Sequence, residues 1–241
     1  MSMSVNEALA AWIRNYQDAN LSDRDTMRAL AYARDLQRGL ATIRTYPQGV
    51  TIFGSARLKQ SSVYCKMAES LGEKLARRGH TVVTGGGPGI MEASNKGAFE
   101  AGGRSIGLNI KLAHEQRPNP YLTEMFEFRY FFARKVMLAF SSKVFVFFPG
   151  GFGTMDEFTE VMVLVQEKKM PRVPMFLIGR NFWQPLDKFY ESRLEALGTI
   201  NKVDRDLYRI TDDINEVVTA ADKLGQVPID DNLYDKFSDY M

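Results

Sequence analysis

Apolar positions along this chain follow two periods, and the change between them comes near position 50. Before it, residues 1–48 read as a helical preamble. Ser22-x-x-Asp25 has the form of a helix-capping signal, and Leu36, Leu40 and Ile43 recur at helical spacing. After it, short apolar runs alternate with amphipathic stretches. Val50 to Phe53, Thr81 to Thr84, Ser105 to Ile110, Lys143 to Phe148 and Val173 to Ile178 predict strands, with a short further strand at Phe126 to Phe128. Between them, Ser61 or Ser62 can cap a helix with Tyr64, Met67, Ala68, Leu71 and Leu75 on its apolar face, and Gly79 suits its end. A second helix is predicted from Pro88, in its first turn, to about Ala101, and others over Phe131 to Ser141, Trp183 to Leu197 and Asp213 to Leu224. Phe158, Val161, Met162 and Val165 mark the buried face of one more. Strands that are apolar almost throughout, each followed by a helix, predict an α/β, Rossmann-like doubly wound parallel sheet in three α/β/α layers, with an N-terminal helical extension. The extension covers 1–48 and the Rossmann-like domain 49–241, as one domain overall.

In such sheets ligands sit beyond the carboxyl ends of the strands, where the strand order reverses. Glycine-bearing loops follow three of the predicted strands: Gly54-Ser55-Ala56-Arg57, Gly85-Gly86-Gly87-Pro88-Gly89 and Pro149-Gly150-Gly151-Phe152-Gly153-Thr154. Backbone N–H groups and a helix N-terminus make the last of these a seat for phosphate, and Glu157 sets a carboxylate beside it. None of the loops has the G-x-G-x-x-G spacing of dinucleotide sites or a Walker lysine, so a mononucleotide or sugar phosphate fits better than a nicotinamide or ATP. Thr154-x-x-Glu157 is also a capping box, in which the carboxylate merely closes a helix start. Both readings stand at this point.

Composition narrows the partners. The 241 residues hold 45% hydrophobic and 25% charged positions, with a formal charge of +2. Neither nucleic acid nor a membrane surface is implied by that balance. The single cysteine, Cys65, rules out an internal disulfide and fits a reducing, cytoplasmic setting. Met1 to Asn20 lacks a basic start followed by an apolar stretch, so no secretory leader is expected. His80 and His114 have no ligand partners at useful spacing, and no metal motif is present. Glu92 and Lys96, four residues apart, read as a surface salt bridge. The aromatic segment Phe126 to Phe140 reads chiefly as core or subunit contact, with a base-pocket wall as the alternative.

Four of these stretches together resemble the Lonely Guy (LOG) family of phosphoribohydrolases, many once labelled lysine decarboxylases. They are Gly54-Ser55-Ala56-Arg57, Gly85 to Ala93, the pair Arg134-Lys135, and Pro149 to Glu157 with its P-G-G-x-G-T-x-x-E pattern. The resemblance spans roughly residues 50–225. It implies hydrolysis of the N-glycosidic bond of a nucleoside 5′-monophosphate, AMP or another purine or pyrimidine nucleotide or a cytokinin ribotide, to free base and ribose 5-phosphate, with no cofactor. It implies Arg134 and Glu157 as the catalytic pair. Ser55, Gly85, Gly86, Gly87, Met91, Lys135, Gly150, Gly151, Gly153 and Thr154 are implied around the nucleotide and its phosphate. A homodimer or higher homo-oligomer is implied as well. Glu92 stands where plant-like members tend to have glycine, so the run looks more like the bacterial branch. A non-catalytic nucleotide or cofactor carrier on the same fold is the alternative, and fold alone does not decide between them.

Overall fold

The computed structural model describes residues 22–43, 49–111 and 117–225. Seven strands, β1 (Gly49–Phe53), β2 (Thr81–Thr84), β3 (Ser105–Ile110), β4 (Glu124–Phe128), β5 (Val144–Phe147), β6 (Met175–Ile178) and β7 (Arg209–Thr211), form one sheet in the order β4-β3-β2-β1-β5-β6-β7. Every neighbouring pair is parallel. The helices are α1 (Asp23–Ile43), α2 (Val63–Arg77), α3 (Ile90–Glu100), α4 (Phe131–Phe140), α5 (Phe152–Gln166), α6 (Arg180–Phe189) and α7 (Ile214–Gly225). This is the Rossmann-like three-layer arrangement that the alternating pattern predicts.

The pleat explains why the central strands read as continuous apolar runs. Successive side chains point to opposite faces, and both faces are covered. Phe145 and Phe147 of β5 enter one core, with Met137, Phe158 and Trp183; Val144 and Val146 enter the other, with Leu71, Leu75 and Val217. Helices α4, α5 and α6 therefore cover one face, and α2, α3 and α7 the other. Every residue of β1, β2, β3, β5 and β6 is buried, whereas the edge strands β4 and β7 are largely open. Helix α1 lies on the α4 side, where Leu36 and Leu40 pack against the first core.

Local signals hold in several places. Ser22 Oγ accepts the N–H of Asp25, and Ser62 Oγ accepts that of Cys65 at 3.2 Å, so both serines cap as expected. Gly79 closes α2 with a φ of +79°. Other expectations need correction. Helix α3 begins at Ile90 behind Gly89, leaving Pro88 in the loop rather than in the first turn. Lys96 does not pair with Glu92 but crosses to Glu69 of α2 at 2.8 Å, because α2 and α3 pack closely enough to compete with the local partner. Helix α6 starts at Arg180, three residues early, and continues as a π-helical turn over Tyr190–Glu195. The short 3-10 helix Lys202–Leu207 and strand β7 are too brief to carry a period and escape sequence reading. His80 is buried and its Nε2 lies 2.9 Å from Asp222 Oδ1 of α7, a structural link between layers. His114, residues 1–21 and the tail beyond Gly225 lie outside the described residues.

Candidate active site

Strand order reverses between β1 and β5, whose carboxyl ends open into a cavity of ≈ 690 Å³. The loop after β1 brings Gly54, Ser55, Ala56 and Arg57; the loop after β2 brings Gly85; α3 brings Met91 and α4 brings Arg134. The remaining wall is the turn and first helical residues after β5, from Gly150 to Met155, and then Glu157. Backbone bonds lock the loops together: the Ser55 N–H donates to Pro149 O, and the Ile90 N–H donates to Ser55 O, both at 3.0 Å.

Helix α5 begins one residue after Gly151, and no side chain caps it. Phe152, Gly153 and Thr154 are thus its first three residues, and the first N–H groups of a helix have no intrahelical acceptor. They face the cavity with the positive end of the helix dipole behind them, a ready seat for an anion. This geometry overturns the capping-box reading. Thr154 is the third helical residue and not the cap, so Glu157 sits in the second turn, too far along to close the helix start. The two glycines ahead of the helix move its origin back from where the T-x-x-E spacing places it.

Burial pushes the Glu157 carboxyl up to about 7, with Arg134 opposing and Asp156 and Glu160 adding to the rise. Burial likewise lowers the Arg134 guanidinium below its ordinary value, and Glu157 partly restores it. Arg134 is held by its own bond, Nε donating to Leu108 O at 2.8 Å, which aims the rest of the guanidinium into the cavity. Gly85 makes that placement possible, since a Cβ there would collide with Arg134 and lie 2.9 Å from Met91 Sδ. The site thus pairs a carboxylate that titrates near neutrality with a fixed planar cation.

Of the residues expected around the ligand, Ser55, Gly85, Met91, Arg134, Gly150, Gly151, Gly153, Thr154 and Glu157 line this cavity. Gly86, Gly87 and Lys135 do not. The Gly86 N–H donates to Thr84 Oγ1, while the Gly86 and Gly87 carbonyls accept from the backbone and side chain of Asn119. Lys135 Nζ turns to Asp156 at 2.9 Å and Glu160 at 3.5 Å on α5. Arg57 and Phe152 join the wall without having been singled out; Phe152 is 96% exposed, as a helix-starting aromatic at a cavity mouth. Only the apolar residue inside a glycine motif hinted at it. Among the described residues no group of three His, Cys, Asp or Glu side chains is placed to hold a metal ion. No helix among them is long and apolar enough to cross a membrane.

Known proteins resemble this chain in sequence and in fold. A cytokinin riboside 5′-monophosphate phosphoribohydrolase of Rhodococcoides fascians is 28% identical over 184 residues, spanning 75% of this chain and 92% of that protein. A probable enzyme of the same name from Oryza sativa is 33% identical over 148 residues, 60% of this chain and 63% of its own. Among solved structures, the molybdenum cofactor carrier protein of Chlamydomonas reinhardtii superposes with a TM-score of 0.57 at 25% identity, covering 76% of this chain and 99% of that one. Residues 91–221, more than half of the chain, match the family model described as possible lysine decarboxylase. The chain therefore belongs to that family, which is the LOG family.

Proposed function

We propose that the protein is a phosphoribohydrolase that cleaves the N-glycosidic bond of nucleoside 5′-monophosphates. The observation that carries this reading is the pairing, across one cavity, of an uncapped helix N-terminus with a carboxylate raised to about 7 and a buried guanidinium. The 5′-phosphate binds the free N–H groups of Phe152, Gly153 and Thr154. The ribose then lies toward Glu157 and Arg134. Glycosidic cleavage passes through an oxocarbenium-like sugar, and an ionised carboxylate beside the ring stabilises that charge. Glu157 takes a proton from water as the water oxygen bonds to C1′. The C1′–N bond breaks with its electron pair leaving on the base, which is protonated from solvent. Ribose 5-phosphate and free base are the products. Arg134 orients the carboxylate and the ribose hydroxyls through its planar fork.

The low identity to the cytokinin-named relatives leaves the base open, and AMP is the simplest probe. A Schiff-base decarboxylase needs a lysine at the reacting carbon, and among the described residues no lysine lines the cavity. The carrier reading draws on the molybdenum cofactor carrier likeness, but a carrier has no need for a carboxylate poised at neutrality. The deciding experiment incubates the purified protein with AMP, GMP, CMP and a cytokinin ribotide and follows free base by chromatography. Release from any of them supports the hydrolase; binding of all without release favours the carrier. The reading includes a homo-oligomer in a reducing cytoplasm, in keeping with exposed Phe152 and Val163 and the lone buried Cys65. Light scattering of the purified protein tests the oligomer.

A further inference from the structure

Helix α4 carries Arg134, yet its start is not capped by its own sequence. Tyr130, the residue before it, offers no side-chain bond, and the first turn holds no acidic residue. The chain entering the helix is instead held from ninety-four residues upstream of Arg129. Asp35 of α1, 4% exposed, accepts the backbone N–H of Arg129 at 2.8 Å and that of Tyr130 at 3.3 Å, both on Oδ2. A buried carboxyl on these donors ties down the two backbone N–H groups just ahead of the helix, at the positive end of its dipole.

The approach of α1 is fixed along its length. Tyr32 meets Tyr130 and Phe132 edge-on, with ring centroids 4.5 and 4.9 Å away, and the Arg38 guanidinium lies 5.0 Å from the Phe126 ring. Gly39 sits so close to Met137 of α4 that a Cβ would collide with it. Arg134 is one turn on from this clamp: its N–H donates to Tyr130 O at 3.2 Å. A shift of the Arg129–Tyr130 junction thus reaches the backbone of Arg134 through one turn of helix, against the bond from its Nε to Leu108 O.

We propose that Asp35 is a positioning residue for Arg134, so that helix α1, which lies outside the family-matched residues 91–221, belongs to the working site. This rests on the functional reading given above for Arg134 and Glu157. The energetic logic is that of a group holding a reacting group in place, where a displacement of about 1 Å costs on the order of 100-fold.

The test compares full-length wild type, Asp35→Ala, Asp35→Asn, Arg134→Ala and the Asp35→Ala/Arg134→Ala double variant, all at a temperature where circular dichroism shows each folded. With AMP as probe, Asp35→Ala is expected to lower kcat on the order of 10- to 100-fold with a smaller change in KM. Asp35→Asn, whose side-chain oxygen still accepts an N–H, should restore most of the rate. The double variant should be no slower than Arg134→Ala alone. The acid limb of the pH profile should move upward in Asp35→Ala as in Arg134→Ala, because the charge of Arg134 holds Glu157 down against Asp156 and Glu160, with Lys135 as the other nearby cation. A wild-type rate and profile in folded Asp35→Ala, or losses that multiply in the double variant, would overturn the proposal. Should Asp35→Ala not fold, Asp35→Ser, too short to span to Tyr130 but still polar, carries the same comparisons. If wild type binds AMP without cleaving it, the hydrolase reading fails. Calorimetric binding of AMP to the same five proteins then judges Asp35 separately: equal, non-multiplying losses of affinity support it, and unchanged affinity in Asp35→Ala sinks it.

Discussion

At the scale of residues, Glu157 is the one whose chemistry reaches furthest. Its carboxyl takes up a proton near pH 7 in the folded chain, against an ordinary 4.5. Replacing it by Gln should cut turnover by about 100- to 10,000-fold while AMP still binds, as expected for loss of a proton-transferring group; steady-state kinetics beside calorimetry reads both. The same shift acts on stability. A raised folded value means the native state holds a proton between pH 4.5 and about 7 that the unfolded chain has released. Stability therefore falls as pH rises through that window. Glu157→Gln should unfold at higher denaturant than wild type at pH 8, by on the order of 1–3 kcal/mol, with the gain shrinking toward pH 4.5. An equal effect at both pH values would argue against a buried, strained carboxylate. Gly85→Ala should lower kcat/KM at least about tenfold, because its methyl group takes the space of the Arg134 guanidinium.

At the scale of elements, the strands were readable because they are central and parallel, apolar on both faces and bounded by glycine. Helices α2 and α5 were readable from their buried faces. What escaped has physical reasons. Strand β7 spans only Arg209–Thr211 at an edge, with a single buried side chain, so no pattern accumulates. The T-x-x-E spacing imitates a cap because Gly150 and Gly151 contribute no side chain to show where the helix begins. Lys96 obeys packing over local spacing. Asp35 gave no sign at all, since a partner ninety-four positions away leaves no local trace. One tertiary element of this kind also holds the C-terminal half. Arg205 of the 3-10 helix binds Asp187 of α6 at 3.0 Å and Glu195 at 3.1 Å, and the Tyr208 hydroxyl donates to Asp187 at 2.6 Å. Arg205→Met should lower stability by about 1 kcal/mol, through loss of a partly exposed ion-pair network in which Asp187 keeps its bond from Tyr208, yet leave the rate on AMP unchanged; urea denaturation and the base-release assay separate the two.

At the scale of the whole molecule, the sheet divides the work. The face carrying α2, α3 and α7 contributes loop walls with Arg57 and Met91, while the face carrying α4 and α5 contributes Arg134 and Glu157. Whole-protein turnover on AMP should rise with pH through about 7 as Glu157 ionises. A profile flat from pH 5 to 8 would place the essential proton elsewhere. The anion seat and the carboxylate belong to a single helix, with the free N–H groups at Phe152–Thr154 and Glu157 three to five residues on. At about 1.5 Å per residue the axial separation is roughly 5–8 Å, and no hinge lies between them. On the proposed function, helix α5 is a ruler whose zero mark is the phosphate. A nucleoside without phosphate would then have nothing to set against the mark, and a nucleoside diphosphate seated by its terminal phosphate would carry its sugar past the carboxylate.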